Sequence, residues 1–384
     1  MTDDRHGAVV VGGGAAGLAA AAMLHRAGAR SVVLEADSEL GAAWRARYDR
    51  LHLHTSRGLS GLPGYRIPRG YGRWLARDDV VGYLQQYAER YGLDVRFRTR
   101  VERIDRDGSG WLVRTASGTH AASDVVLATG LSSVPRLPDW PGRESYRREV
   151  VHSAAYRHAE PFRGRDVLVV GSGNSGAEIA VDLAHGGASR VRIAIRTPPH
   201  IARRATLGIP SQALGIALSY LPRRVGGNIA AGVRRVSIPD LSEYGLPRPA
   251  ERLGMQFART GTVPILDIGF VAAVRERRVE VVAAVESLDG DDVVLADATR
   301  IRPEVVLAAT GFGAGLEPLV GHLGVLDERG LPTGEEPAPG LHFIGYFPRL
   351  DGLLRRIGIE ARALGRRVSA RTEQPDEAPA PVIV

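Results

Sequence analysis

The chain has 384 residues, 44% apolar and 24% charged, enough for two domains or one large composite around a sizeable core. Cysteine is absent, which excludes disulfides, thiolate metal sites, iron–sulfur clusters and Cys-x-x-Cys redox pairs; lysine is absent too, all 50 basic residues being arginine, which excludes Schiff-base chemistry and a P-loop lysine. The net charge of +7 is spread from Arg5 to Arg371 without a long basic run, and aromatics are only 6%, so small phosphate ligands suit the chain better than nucleic acid.

The apolar run 8–24 is about 17 residues, short of the roughly 20 that a membrane span needs. It reads as a buried strand over 8–11, a glycine turn and an Ala-rich helix to about residue 27, with a second strand over 31–35. This βαβ opening, with no other candidate leader or span, implies a cytoplasmic protein without stable membrane insertion. Residues 41–68, rich in Gly, Pro, His and Arg, read as loop. The spacing of Val81, Leu84 and Ala88 predicts a helix over 78–91. Two or three short antiparallel strands are expected over 95–115, around Asp107-Gly108, and a buried strand over 125–127 ends in Ala128-Thr129-Gly130.

Pro135, Pro138 and Pro141 then break the chain and mark a domain junction. Residues 166–196 repeat the βαβ opening. Residues 209–236 read as two apolar helices separated by Leu221-Pro222, suited to walling a substrate path, to packing or oligomer contact, or to a membrane edge. Strands follow at 278–283, 293–296 and 305–308, the last ending in Ala309-Thr310-Gly311. A final strand at 341–345 and a helix over 352–370 precede a Pro/Glu/Ala tail that reads as disordered.

Two glycine patterns carry the chemistry: Gly12-x-Gly14-x-x-Gly17 and Gly171-x-Gly173-x-x-Gly176. With 47 glycines, chance alone gives roughly 0.7 such matches, so the context decides. Each pattern follows an apolar strand and opens a helix, which turns the backbone N–H groups of Ala15 and Ala16, or of Ser172, Asn174 and Ser175, toward a pyrophosphate. Glu35, beside Ala36, lies 23 residues after Gly12, where a carboxylate accepts from ribose hydroxyls and repels a 2′-phosphate. Arg196 lies 25 residues after Gly171, where a guanidinium suits a 2′-phosphate, with Arg203 and Arg204 nearby in sequence. The first site therefore reads as FAD or NAD and the second as NADP. Two dinucleotide sites imply hydride transfer, naturally from NADPH to FAD. Without a dithiol, the acceptor is oxygen or an organic substrate reached through oxygen.

The fold class follows: α/β, with two Rossmann-like dinucleotide-binding domains, an FAD domain interrupted by an NADPH domain. The expected boundaries are 1–150, 151–300 with a helical insert at 205–260, 301–371, and a tail at 372–384.

Over roughly 8–367 the chain resembles the class B flavin-dependent monooxygenases, the flavin-containing monooxygenase family and especially its YUCCA branch and bacterial relatives. The resemblance rests on both glycine turns, on Tyr48-Asp49-Arg50-Leu51-His52-Leu53-His54, on Val151-His152-Ser153, on Thr262-Val263-Pro264-Ile265-Leu266-Asp267-Ile268-Gly269, and on the two Ala-Thr-Gly strand ends. The family's Phe-x-Gly-x-x-x-His-x-x-x-(Trp/Tyr) is matched at His152 and Tyr156, while Tyr146 and Arg148 depart from it. The resemblance implies flavin contacts from Ala43, Trp44 and Arg45, and from His54 and Val101. It adds flavin contacts from 128–130, Gly345, Leu353 and Leu354, and nicotinamide-nucleotide contacts from 309–311. His152 is expected to be a histidine that hydrogen-bonds across domains. Arg57 aligns with a family lysine and is either a cation that tunes the flavin or a solvated loop arginine. His52 and His54 sit in a loop without a carboxylate cluster, so no metal site is expected.

The implied activity is an NADPH- and FAD-dependent monooxygenase that oxygenates a lipophilic small molecule with O2 through a C4a-(hydro)peroxyflavin. The outcome is heteroatom oxidation, Baeyer–Villiger insertion or oxidative decarboxylation. The alternatives are a reductase or dehydrogenase without oxygen transfer, and a non-catalytic redox sensor; a preserved hydride-donor site argues against the sensor. The oligomeric state is not given by the sequence.

Overall fold

The computed structural model describes residues 4–373; the expected tail at 372–384 falls almost entirely outside the described residues. The chain forms two compact units. One comprises residues up to 45, 57–133 and those from 313 onward, and the other comprises 46–56 and 134–312. The expected boundaries at 150/151 and 300/301 thus fall at 133/134 and 312/313. The reason is strand pairing: Glu149–His152 forms the edge of the second unit's sheet, where Val305–Ala308 runs parallel beside it.

In chain order the principal strands are β1 (Asp4–Val11), β2 (Ser31–Leu34), β3 (Asp94–Arg96), β4 (Val101–Asp107), β5 (Gly110–Thr115), β6 (Gly118–Leu127), β7 (Glu149–His152), β8 (Asp166–Val170), β9 (Arg190–Ala194), β10 (Glu280–Val282), β11 (Val305–Ala308) and β12 (Leu341–Phe343). The principal helices are α1 (Ala15–Arg26), α2 (Arg77–Tyr91), α3 (Asn174–His185), α4 (Ser211–Ser219), α5 (Arg223–Ser237) and α6 (Leu353–Glu373).

The first unit holds a seven-stranded sheet in the order β3-β2-β1-β6-β5-β4, with β12 parallel to β6. Its centre is parallel, and Val9, Val10, Val32, Val33, Val125 and Val126 are fully buried, as expected of strands covered on both faces. Only β4, β5 and the start of β6 are antiparallel. The antiparallel set expected over 95–115 is therefore β4–β5, while β3 runs parallel to β2. Gly365 lets α6 approach α1 closely: a Cβ added there would lie 3.0 Å from Met23 O.

The second unit holds a five-stranded, wholly parallel sheet in the order β10-β9-β8-β11-β7. Its core gathers Val167, Val169, Ile179, Leu183, Ile193 and Leu307. The expected helical insert carries α4, α5 and the short helix Leu253–Thr260. The stretch read as loop over 41–68 contains two short helices, Ala42–Arg45 and Arg57–Ser60.

Candidate dinucleotide sites

In the first unit, β1 hands the chain to α1 through a turn that only glycine can make. Gly12 has φ 105°, and a side chain there would press on Ala128 O at the end of β6. A side chain at Gly17 would collide with Gly12 O, so the helix packs down on the turn. At Gly14, by contrast, a Cβ would meet nothing within 4 Å. The turn is closed against the sheet and open where a ligand approaches. The first turn of α1 has no side-chain cap and no acidic residue, so the amides of Ala15, Ala16 and Gly17 keep their affinity for an anion.

Glu35 follows β2. Its Oε2 accepts from Gly13 N at 2.6 Å and its Oε1 from Asp37 N at 2.9 Å. Each oxygen keeps a further lone pair, so the carboxylate is fixed beside the glycine turn and still able to accept a hydroxyl. Ala36 is half-buried next to it, and Val101 is buried at the start of β4.

The strand end at 128–130 is held from below. The buried Tyr346 hydroxyl accepts from Thr129 N at 3.0 Å and lies 2.7 Å from Thr129 Oγ1. Burial pushes its pKa up to about 12, so the phenol stays protonated. Gly345, with φ 88°, donates its N–H to Glu360 at 2.8 Å, and Arg356 donates to the other Glu360 oxygen at 2.8 Å. Burial raises the Glu360 pKa. Leu353 and Leu354 open α6; Leu353 is exposed and Leu354 buried. Ala43, Trp44 and Arg45 lie in the short helix Ala42–Arg45, with Arg45 paired to Glu39 at 3.0 Å. The Arg57 guanidinium donates to Gly72 O at 2.7 Å and to Ile67 O at 3.3 Å, and thereby ties its own loop together.

The second unit repeats the cradle. Gly171 has φ 131°, and a side chain there would collide with Ala309 O at the end of β11. A side chain at Gly176 would collide with Gly171 O, and the Cβ position of Gly173 is open. Position by position, 171–176 and 309–311 stand as 12–17 and 128–130 do. The start of α3 is again free of acidic residues and side-chain caps. The Asn174 side chain is engaged by protein: Oδ1 accepts from Leu266 N at 2.8 Å and Nδ2 donates to Pro264 O at 3.2 Å. It ties α3 to the strand Ile265–Asp267. Arg196 lies two residues past β9, exposed and without a carboxylate partner among the described residues. Arg203 donates to Ser237 O at 2.9 Å. Thr310 Oγ1 donates to Arg136 O.

His152 lies inside this unit. Its Nε2 is 3.0 Å from Gly311 O, and its Nδ1 accepts from Ala154 N at 3.0 Å. The expected cross-domain bond is thus a bond within one unit, because β7 and β11 are sheet neighbours. Burial lowers the His152 pKa.

His54, expected at the flavin, is paired inside the second unit: its Nε2 lies 2.7 Å from the buried Glu178 Oε1. Glu178 sits on α3 one helical turn after Asn174. Burial, and after it the same carboxylate, pushes the Tyr48 phenol well above its ordinary range, and Ser175 also bonds that phenol. Glu178, Tyr346 and Glu360 have no place in the glycine patterns. Their one sequence signal is an acid, or a lone tyrosine, set in an otherwise apolar stretch.

Among the described residues there is no cluster of metal-ligating side chains, and no helix is long and apolar enough to cross a membrane.

Comparison with known proteins covers both glycine turns. A family model described as pyridine nucleotide-disulphide oxidoreductase matches residues 9–209. Indole-3-pyruvate monooxygenase YUCCA1 of Oryza sativa subsp. japonica is 32% identical over 359 residues, 91% of this chain and 88% of its own length. A flavin-containing monooxygenase from Stenotrophomonas maltophilia superposes with a TM-score of 0.74 at 26% identity, covering 96% of this chain and 99% of that one. Cyclohexanone monooxygenase shares the fold, with a TM-score of 0.71 at 18% identity over 97% of this chain and 88% of that one. The disulphide in the family's description has no counterpart in a sequence without cysteine. On these matches the chain belongs to the pyridine nucleotide-disulphide oxidoreductase family and, within it, to the flavin-dependent monooxygenases.

Proposed function

We propose that FAD binds the 12–17 turn, that NADPH binds the 171–176 turn, and that the protein uses both with O2 to oxygenate a lipophilic small molecule. The observation that supports this most directly is one cradle built twice with opposite charges at the second strand end: Glu35 in the first copy, Arg196 in the second. Both copies fit a pyrophosphate, since the space a Cβ would fill at Gly14 and Gly173 is open and both helix starts lack an acid.

In this reading the first-turn amides of α1 and α3 hold the two pyrophosphates. Glu35 accepts from ribose hydroxyls with the lone pairs that Gly13 and Asp37 leave free, and Arg196 takes the 2′-phosphate. Tyr346 and Glu360 hold Thr129 and Gly345 in place, so that the backbone beside the ring system is fixed before ligand arrives. Arg57 spends two N–H groups on Gly72 and Ile67 and keeps others for an anion. The bound flavin, once reduced, supplies the oxygen chemistry. The names of the relatives make a 2-oxo acid the first substrate to try.

The test is to reduce the purified holoprotein with NADPH without air and then mix it with oxygenated buffer in a stopped-flow instrument. NADPH should bleach the flavin faster than NADH. A transient spectrum, blue-shifted from oxidised flavin, should precede its return. Direct return to oxidised flavin would favour the reductase reading. Failure of NADPH to bleach the flavin would overturn the cofactor assignment.

A further inference from the structure

The helical insert of the second unit turns an apolar side outward. Along α5, Val225, Ile229, Gly232 and Val236 follow one another at i, i+4, i+7 and i+11, a single stripe on a helix. Val225, Ile229 and Val236 are 48%, 43% and 90% exposed. On the other side Gly226 is buried and Ala230 and Val233 are half-buried, where α5 packs on α4 and on the strand Ile201–Arg203. The larger side chains of this amphipathic helix therefore face away from its own unit. Tyr220 and Leu221, just before α5, are also exposed.

Charge distinguishes the possible occupants. Residues 197–239 carry Arg203, Arg204, Arg223, Arg224, Arg234 and Arg235 and neither Asp nor Glu. Arg224 and Arg235 are exposed beside the stripe and have no carboxylate partner among the described residues. A two-fold contact between copies would set these arginines against one another with no acid in the segment to offset them. An anionic lipid surface offers both halves of the match: phosphates for the arginines and the acyl boundary for the apolar stripe.

We infer that α5 lies flat on anionic bilayers, with Val225, Ile229 and Val236 in the boundary region and Arg224 and Arg235 at the phosphate level. This is peripheral contact, since no helix among the described residues is long and apolar enough to span. The proposal stands apart from the assignment of the two cofactors.

The test is co-sedimentation of the full chain with vesicles of phosphatidylcholine, with or without phosphatidylglycerol. Three variants accompany the wild type. Val225→Gln/Ile229→Gln/Val236→Gln removes the stripe at constant charge. Arg224→Glu/Arg235→Glu reverses the flanking charge. Arg30→Glu/Arg275→Glu makes the same change in net charge at exposed arginines elsewhere. The unfolding midpoint of each variant reports an intact fold, which exposed positions should preserve.

Wild type should partition onto the phosphatidylglycerol vesicles alone. The Gln triple should bind about tenfold more weakly, and the Arg224/Arg235 pair weaker by more than tenfold. The Arg30/Arg275 pair should change by less than about threefold. No binding by the wild type overturns the proposal. So does equal loss in both charge-reversed pairs, which would reduce the effect to overall charge. A dimer in light scattering that the Gln triple dissociates, with vesicle binding unchanged, would assign the face to self-association instead.

Discussion

Glu35 directly follows the second strand of one cradle and Arg196 stands one position further past that of the other, and on the proposed assignment their opposite charges set nucleotide choice. A charge-assisted bond to phosphate is worth about 1.5–3 kcal/mol, or about 10- to 150-fold. Arg196→Ser should raise KM for NADPH by that factor and leave KM for NADH unchanged, read from the rate of flavin bleaching with each nucleotide. A parallel loss for both nucleotides would remove Arg196 from the 2′-phosphate. His152 makes a second residue-scale case. Its Nδ1 accepts and its Nε2 donates, a pattern available only to the neutral ring. Burial lowers its pKa, so below the ordinary imidazole range the unfolded chain binds a proton that the folded chain refuses. The stability it confers is therefore present above that range and is lost as pH falls through it. The wild-type unfolding midpoint should drop more steeply than that of His152→Gln between about pH 7.5 and 5.5. Parallel profiles would show that His152 is not the group responsible.

At the scale of elements, what the sequence discloses is whatever repeats locally. The 12–17 turn and Glu35 are legible because the strand, turn and helix between them are contiguous, and the carboxylate reaches back across 22 positions to Gly13. Tyr346 and Thr129 stand 217 positions apart, and no spacing rule links them. The pairing of His54 with Glu178 is hidden for a different reason: residues 46–56 sit in the sequence between pieces of the first unit but pack in the second. The strand Glu149–His152 was masked by the prolines before it and by its exposed first residue. Asn174 shows how a motif residue can carry a structural bond that the motif does not announce. The glycine pattern predicts its backbone N–H at a phosphate, and its side chain adds a second task by fastening α3 to Pro264 and Leu266. Asn174→Ala strands a carbonyl and an N–H, and urea unfolding should show a loss of about 1–3 kcal/mol. A loss below about 0.5 kcal/mol would mean that water replaces both bonds.

On the scale of the whole molecule, the two cradles belong to different units with separate cores. Ligand protection should divide accordingly. In hydrogen exchange on the full chain, FAD should slow amides at 12–17 and 128–130, and NADP+ should slow those at 171–176 and 309–311. Equal slowing of both sets by either ligand alone would contradict the division of labour proposed here. The βαβ repeat made the existence of two units legible. Their borders were not, because a border is set by which sheet a strand joins, and that choice is made by β11 and β12, far from the prolines at 135–141.

The first unit's discontinuity in the chain also sets a schedule for its birth. The second unit runs unbroken from 134 to 312, so a ribosome has delivered all of it, and the early piece 46–56, while the first unit still lacks β12, Gly345 and α6. Domains fold as their sequence emerges. A nascent chain stalled just past 312 would hold every residue of the 171–176 cradle, yet have neither Tyr346 beneath Thr129 nor Glu360 beneath Gly345. On the proposed assignment, flavin loading therefore waits for Tyr346 and Glu360 to be made, and nonsense truncations between 313 and 345 should yield colourless protein.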